Sequence, residues 1–197
     1  MKISGKFILK VAGTLTAISL VVAALLGVVN MITADKIAEL NAQATAEALS
    51  AVIPEGAETA DALTLDEAVA AAASAQGGTI EGVYPVTMNG EAAGYAVTVV
   101  ASGSQGKIEM AVGVDANGAI TGVSIISHSE TSGIGTKVMG NEPNNNGVPV
   151  LDQFIGMSGA GSLVVGGNVT AISGATVSTK GVTKGVNAAL AAVEALG

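Results

Sequence analysis

The sequence contains no cysteine, no arginine and no tryptophan, and His128 is its single histidine. Without cysteine the chain cannot form a disulfide, bind an iron–sulfur cluster, attach haem through a CxxCH motif or build a cysteine zinc site. Without arginine, and with a formal net charge of −8, it lacks the basic clusters that bind nucleic-acid phosphates. We therefore expect no nucleic-acid partner.

Aromatic residues are almost as rare, whereas glycine is abundant, with two Tyr, two Phe and 27 Gly in 197 residues. A core must then be packed from Val, Ile, Leu and Ala, and the glycines indicate strands joined by tight turns. No pair of catalytic carboxylates, nucleophile triad or metal-ligand spacing stands out. We expect no catalytic residue and no metal site.

Charge divides the chain into a basic start and an acidic body. Lys2, Lys6 and Lys10 precede every acidic residue, and from residue 11 onward five Lys stand against 16 Asp and Glu.

Residues 11–34 contain no charge, and at about 1.5 Å per residue they span about 36 Å, enough for a hydrocarbon core of about 30 Å. A cleaved signal peptide has a shorter apolar region, of about 7–15 residues.

We therefore assign residues 1–34 to a cytoplasmic stub and a transmembrane helix. The basic start predicts a cytoplasmic N-terminus, with the globular part on the outer face of the cytoplasmic membrane. Residues 35–78 form a helical connector. In it the helix continues to residue 52, residues 54–64 are a polar linker, and Thr64 with Glu67 resembles a capping box for a helix over residues 65–75.

Residues 79–197 read as one antiparallel α+β domain with flanking helices. Turn signals such as Asn89-Gly90 separate four predicted strands of a meander, at residues 80–88, 95–101, 107–114 and 119–127. A loop over residues 141–149 follows. We predict a short helix at 150–157, a short strand at 163–165 and a final helix at 179–196.

Before the final helix, residues 173–179 read SGATVST, a turn crowded with hydroxyls. One interpretation is an ordinary Ser/Thr N-cap. The other is a phosphate site, because small residues let a ligand approach and a helix start presents free N–H groups and a positive dipole end.

Two motifs together resemble the FMN-binding domain family: S-G-A-T at residues 173–176 and HSETSGIGTK at residues 128–137. That family includes the G subunit of Rnf electron-transport complexes and the C subunit of Na⁺-translocating NADH:quinone reductases. In this chain Thr170 stands where the family usually has an acidic residue, and Ser132 where it has Pro. The resemblance covers about residues 80–190 and the N-terminal span.

The resemblance implies covalent FMN, esterified through its phosphate to Thr176. It also implies further cofactor-binding residues around the turn and along the 128–137 loop: Ser173, Gly174, Ala175, Val177, Thr179, His128, Glu130, Thr131, Gly133, Ile134, Gly135 and Lys137. Simpler interpretations exist for some of them. His128 and Lys137 suit a solvated surface, and Gly133 and Gly135 suit a turn with positive φ.

By the same resemblance, the chain is an electron-carrying subunit of an ion-translocating ferredoxin:NAD oxidoreductase complex of the Rnf type. It would relay electrons through FMN and work beside other membrane, iron–sulfur and flavin subunits. Three alternatives stay open: a C-type subunit of a quinone reductase, a membrane-anchored FMN redox sensor or scaffold, and an extracytoplasmic flavin reductase. The last would need placed Arg or His donors, which the sequence lacks apart from its one His.

Overall fold

A single long helix begins the part of the chain that the computed structural model describes, residues 5–197. Helix α1, Gly5–Val52, holds an uncharged stretch whose mean hydropathy reaches 2.4 over 18 residues, none of them buried. By length and composition it can cross a membrane. The predicted helix over residues 11–52 is thus confirmed as one unbroken helix; Lys2 of the predicted stub lies outside the described residues.

The chain divides within this helix into two compact units, one ending at Gln43 and the other comprising Ala44–Gly197. The second unit is built on a five-stranded antiparallel sheet in sequential order. Its strands are β1 (Glu58–Thr59), β2 (Gly78–Met88), β3 (Glu91–Ser102), β4 (Lys107–Asp115) and β5 (Ile120–His128). The predicted four-strand meander is confirmed, and Asn89 and Gly90 turn between β2 and β3 with φ of 54° and 83°.

One strand was missed, because β1 lies in the segment predicted to be a polar linker. Glu58 and Thr59 pair with Thr87 and Val86 at the edge of the sheet. Both β1 residues are exposed, so no alternation of apolar and polar residues marks them as a strand.

The remaining elements are α2 (Glu67–Ala75), α3 (Gly135–Met139), a 3-10 turn (Asp152–Phe154) and α4 (Thr176–Leu196). The proposed capping box on Thr64 is wrong: Asp66 is the N-cap of α2, and its carboxylate accepts from Val69 N at 2.9 Å. The helix predicted over residues 150–157 is reduced to the 3-10 turn. The strand predicted at 163–165 is absent from this part of the structure, where Val165 makes only an isolated bridge to Val169.

Helices α2 and α4 cover one face of the sheet and form the main core. Its largest buried side chains include Ile108, Met110, Val112, Phe154 and Leu190. As expected from the composition, aliphatic residues fill this layer, and Phe154 is its only fully buried aromatic among the described residues.

The opposite face is covered by the C-terminal end of α1. Leu49 and Val52 pack against Val86, Ala96 and Ala111 of the sheet. Thr121 Oγ1 donates to Val52 O at 2.5 Å, which satisfies one carbonyl at the helix end. Helix α4 belongs to the core on the other face of the sheet.

Candidate functional site

Helix α4 begins at Thr176, three residues earlier than predicted. Ala175 is the N-cap, so no side chain caps the helix, and the interpretation of the turn as a Ser/Thr N-cap is wrong. Gly174, with φ of +82°, makes the turn into the helix. Among the residues described, the N–H groups of Thr176, Val177 and Ser178 have no hydrogen-bond partner. The helix start therefore leaves three N–H donors and the positive end of its dipole without a protein partner.

The hydroxyls of this turn differ sharply in accessibility. Ser178 is buried and donates to Glu130 Oε2, and Thr179 is buried and donates to Ala175 O at 3.0 Å. Thr176 is exposed, as is Ser173, whose N–H donates to Asn145 Oδ1 at 3.2 Å. Within the first turn of α4, Thr176 alone offers an accessible hydroxyl.

Thr176 opens onto a cavity of about 360 Å³. Its lining residues are Asn145, Val165, Gly166, Gly167, Val169, Thr170, Ala171, Thr176 and Lys180. The volume lies within the range of about 300–1,000 Å³ typical of small-molecule sites. The wall is mostly apolar or backbone, and Lys180 carries its one charge.

Side-chain amides hold the loop that forms the cavity wall. Thr170 N donates to Gln153 Oε1 at 2.8 Å, and Gln153 Nε2 returns a bond to Thr170 O at 3.1 Å. Asn146 Nδ2 donates to Thr170 Oγ1 at 3.1 Å. Thr170 is thus a structural part of the wall, fixed from both sides.

The 128–137 loop meets the start of α4 through Glu130. This buried carboxylate accepts from Ser104 N at 2.7 Å, from Gln105 N at 3.2 Å and from the Ser178 hydroxyl. Burial raises the pKa of Glu130, but the hydrogen bonds and the nearby His128 together outweigh it and hold the pKa below its usual value. The carboxylate joins the β3–β4 turn, the 128–137 loop and α4 in one cluster.

Comparison with known proteins gives two family matches, the FMN-binding domain over residues 103–191 and the RnfG N-terminal region over residues 1–52. The chain is 34% identical to the G subunit of the Na⁺-translocating ferredoxin:NAD⁺ oxidoreductase complex of Acetobacterium woodii, across 95% of this chain and 92% of that one. It is 30% identical to the G subunit of the ion-translocating oxidoreductase complex of Methanosarcina acetivorans, across 96% of both. The chain belongs to the RnfG family.

As a member of this family, the chain carries an FMN-binding domain that includes the whole candidate site. Residues 128–137, the cavity and the start of α4 all fall within the matched residues 103–191. The described residues hold no group of three or more His, Asp or Glu side chains that could bind a metal. The resemblance stated from the two sequence motifs is therefore confirmed at the level of the family.

None of the residues predicted on the 128–137 loop lines the cavity, and only Glu130 is joined to the start of α4 by a side-chain hydrogen bond within the described residues. His128 is exposed, and its Nδ1 accepts from Glu130 N at 3.3 Å. Thr131 O accepts from Ile134 N and Thr136 N, both at 3.3 Å. Ile134 is 51% exposed, and Lys137 is half-buried in α3.

The two glycines of this loop serve different needs. Gly133 has φ of +77°, as a turn glycine should. Gly135 lies in α3 without a positive φ, and a Cβ there would lie 2.7 Å from Glu130 Cβ and 2.9 Å from Ser178 Oγ. Glycine is thus required at position 135 because Glu130 and Ser178 pack too closely to leave room for a side chain.

Sequence reasoning missed most of the cavity wall. Asn145 and residues 165–171 lie on loops, and their approach to Thr176 depends on tertiary structure. Lys180 was not among the predicted site residues. Its spacing of four from Thr176 is the signal that could have placed it beside the hydroxyl.

Proposed function

We propose that this protein is a membrane-anchored flavoprotein subunit of an Rnf-type ion-translocating ferredoxin:NAD oxidoreductase complex, in which it relays electrons through FMN covalently bound to Thr176. The observation that carries the proposal is the accessible Thr176 hydroxyl, which stands at an uncapped helix start beside a cavity in an FMN-binding domain. A subunit of this kind needs no catalytic site of its own.

The residues present fit the phosphate end of FMN. An ester between Thr176 Oγ1 and the phosphorus would replace the hydroxyl hydrogen with the flavin phosphoryl group, so the product would exceed the unmodified chain by one FMN less water. The unpartnered N–H groups of Thr176, Val177 and Ser178 would be the donors available to the phosphate oxygens, and the helix dipole would favour the negative charge of those oxygens. Thr176 is an anchor and takes no part in electron transfer.

The cavity fits the remainder of the cofactor. Val165 and Val169 supply apolar surface, and Gly166 and Gly167 expose backbone that a planar ring can approach closely. FMN, when bound, supplies one- and two-electron redox chemistry. The chain's own part is to fix the phosphate, to place the ring and to limit its contact with water.

Other predicted residues contribute at different distances from the cavity. Ser173, Gly174 and Ala175 shape the turn before Thr176, and Thr179 holds the first helical turn through its bond to Ala175 O. Glu130 and Gly135 fix Ser178 from the other side. We propose that the cofactor's surroundings also include His128, Thr131, Gly133, Ile134 and Lys137. In this proposal the positive charge of Lys137 favours an anionic reduced flavin.

Helix α1 anchors the domain to the membrane, with the N-terminus in the cytoplasm and residues from about 35 outside. Lys6 and Lys10 precede the uncharged stretch and Asp35 follows it, which supports this orientation. Covalent attachment suits an outer location, because a lost cofactor could not readily be replaced there. The partners we propose are the membrane, iron–sulfur and flavin subunits of the same complex.

The quoted relatives are G subunits of ion-translocating complexes, which favours this assignment over a quinone-reductase subunit. The test that separates a relay from a sensor or scaffold uses the purified complex. On rapid mixing with reduced ferredoxin, the flavin of this chain should be reduced, and then reoxidised by NAD⁺, at the rate of turnover. A complex with Thr176→Ala should lose both the redox signal of this flavin and the turnover of the complex. Flavin that stays oxidised during turnover would contradict the relay.

A further inference from the structure

We propose that Lys180 binds the phosphate of the flavin that Thr176 carries. This inference rests on the proposed attachment at Thr176 and names the side chain that balances the phosphate's charge. The two residues belong to the same helix and line the same cavity of about 360 Å³.

Spacing puts the Lys180 ammonium within reach of the ester. Residues four apart on a helix have Cβ atoms about 5–6 Å apart on one face. The lysine side chain is long enough to bring its ammonium alongside a phosphate on Thr176. Both residues are exposed, so neither has to leave a packed position to make the contact.

Charge singles out the same residue. Lys180 is the one charged side chain among the residues lining the cavity, and no ion pair engages it within residues 5–197. The unit from Ala44 to Gly197 has four Lys against fourteen Asp and Glu, so an approaching phosphate meets a negative body. A phosphodiester keeps one negative charge, and an unpaired lysine beside it offsets that repulsion.

Lys184 supplies a matched control on the same helix. It also lies four residues from Lys180, is exposed, and lines a neighbouring cavity of about 280 Å³ that Lys180 and Val165 line as well. It does not line the cavity that contains Thr176. Lys184→Gln therefore removes the same charge one turn farther from the proposed phosphate.

The experiment uses the full chain in detergent micelles with Thr176→Ala, so that binding is reversible, and compares FMN with riboflavin, which lacks the phosphate. Adding Lys180→Gln should weaken FMN binding about threefold to tenfold and leave riboflavin binding unchanged, as expected for one solvent-accessible charge-assisted contact. Lys184→Gln should change neither. Equal losses for both ligands, equal effects of the two lysines, or no loss of FMN affinity would overturn the proposal.

A second measurement uses the covalent form. The ³¹P resonance of the phosphodiester in flavin-loaded protein should move in Lys180→Gln and stay in place in Lys184→Gln; an unmoved resonance in Lys180→Gln would contradict the contact. The two hypotheses fail separately. Wild-type protein without flavin would refute attachment at Thr176, whereas loaded protein that is insensitive to Lys180→Gln would refute this inference alone.

Discussion

Replacing Glu130 should destabilise the domain more than replacing any exposed carboxylate. The side chain is 8% exposed and accepts three hydrogen bonds, and Ser178, one of its donors, is 2% exposed. Hydrogen bonds to a charged group contribute about 1.5–3 kcal/mol, and a buried hydroxyl left without its partner costs about 1–3 kcal/mol. Water can replace the carboxylate at the exposed residues Ser104 and Gln105. The Ser178 bond therefore dominates.

From these contributions we expect Glu130→Ala to lower the free energy of unfolding by about 2–3 kcal/mol, and Glu130→Gln by about 1–2 kcal/mol. For a chain of this size, 2–3 kcal/mol corresponds to a fall in Tm of about 4–12 °C. The amide keeps the shape of the side chain and can still accept one bond, which explains its smaller effect.

The difference between wild type and Glu130→Gln should depend on pH. The pKa of Glu130 is lower in the folded protein than in the unfolded chain, so its contribution to stability is present above the unfolded pKa. That contribution is lost as the pH falls through the folded pKa. The pKa of Asp115 is lowered as well, mainly by the hydrogen bond from Ala119 N, but Asp115 is present in both proteins and cancels from the difference.

The assay is urea unfolding of the full chain in detergent at about pH 7 and about pH 4, followed by the fluorescence of Tyr84 and Tyr95 in the sheet. Glu142→Gln is the matched control, because Glu142 is exposed and its carboxylate makes no hydrogen bond within the described residues. If Glu130→Gln and Glu142→Gln unfold alike at both pH values, the proposed role of this carboxylate is wrong.

Two further predictions concern the loop and the membrane. Gly135→Ala should lower the free energy of unfolding by about 1–3 kcal/mol, because the new Cβ would clash with Glu130 and Ser178. Gly133→Ala should lower it by about 1 kcal/mol, because position 133 has a positive φ but open space around it. Urea titrations that reverse this order would contradict the packing argument. Protease added to intact spheroplasts should digest the unit from Ala44 onward while a cytoplasmic marker survives. Protection of that unit until lysis would reverse the assigned topology.

The sheet was predictable because local chemistry specifies it. Asn89-Gly90 sets one hairpin, and turn residues between the apolar runs mark where the other strands end. The segment at 163–165 misled because Leu163 is buried without a strand partner. The side chain of Asn187, instead of a neighbouring strand, bonds the backbone of Leu163: its Oδ1 accepts from Leu163 N at 3.3 Å and its Nδ2 donates to Leu163 O at 2.9 Å.

The site was predictable only where a motif marks it. S-G-A-T located Thr176, and HSETSGIGTK located Glu130 close to the same helix start. The start of α4 was placed too late because Gly174, rather than a hydroxyl cap, turns the chain into the helix. The cavity wall could not be found from sequence, since Gln153 and Asn146 hold it through contacts 17 and 24 residues away along the chain.

The accessible hydroxyl distinguishes Thr176 from the buried Ser178 and Thr179, so substitution should give a clear pattern. Thr176→Ala should remove the flavin and leave the fold intact, because the side chain is exposed and no hydrogen bond of its hydroxyl is present within the described residues. Thr176→Ser keeps the oxygen and should be labelled in part. Ser173→Ala is the matched control, an exposed hydroxyl in the same turn, and should load fully.

The most direct test of the central claim is the intact mass of the full chain, purified from cells that assemble the complex. The account predicts that wild type and Ser173→Ala exceed the sequence mass by one FMN less water, that the denatured protein fluoresces, and that Thr176→Ala shows neither property. Wild-type protein at its sequence mass, or a flavin that peptide mapping places on Thr179 or another residue, would contradict it.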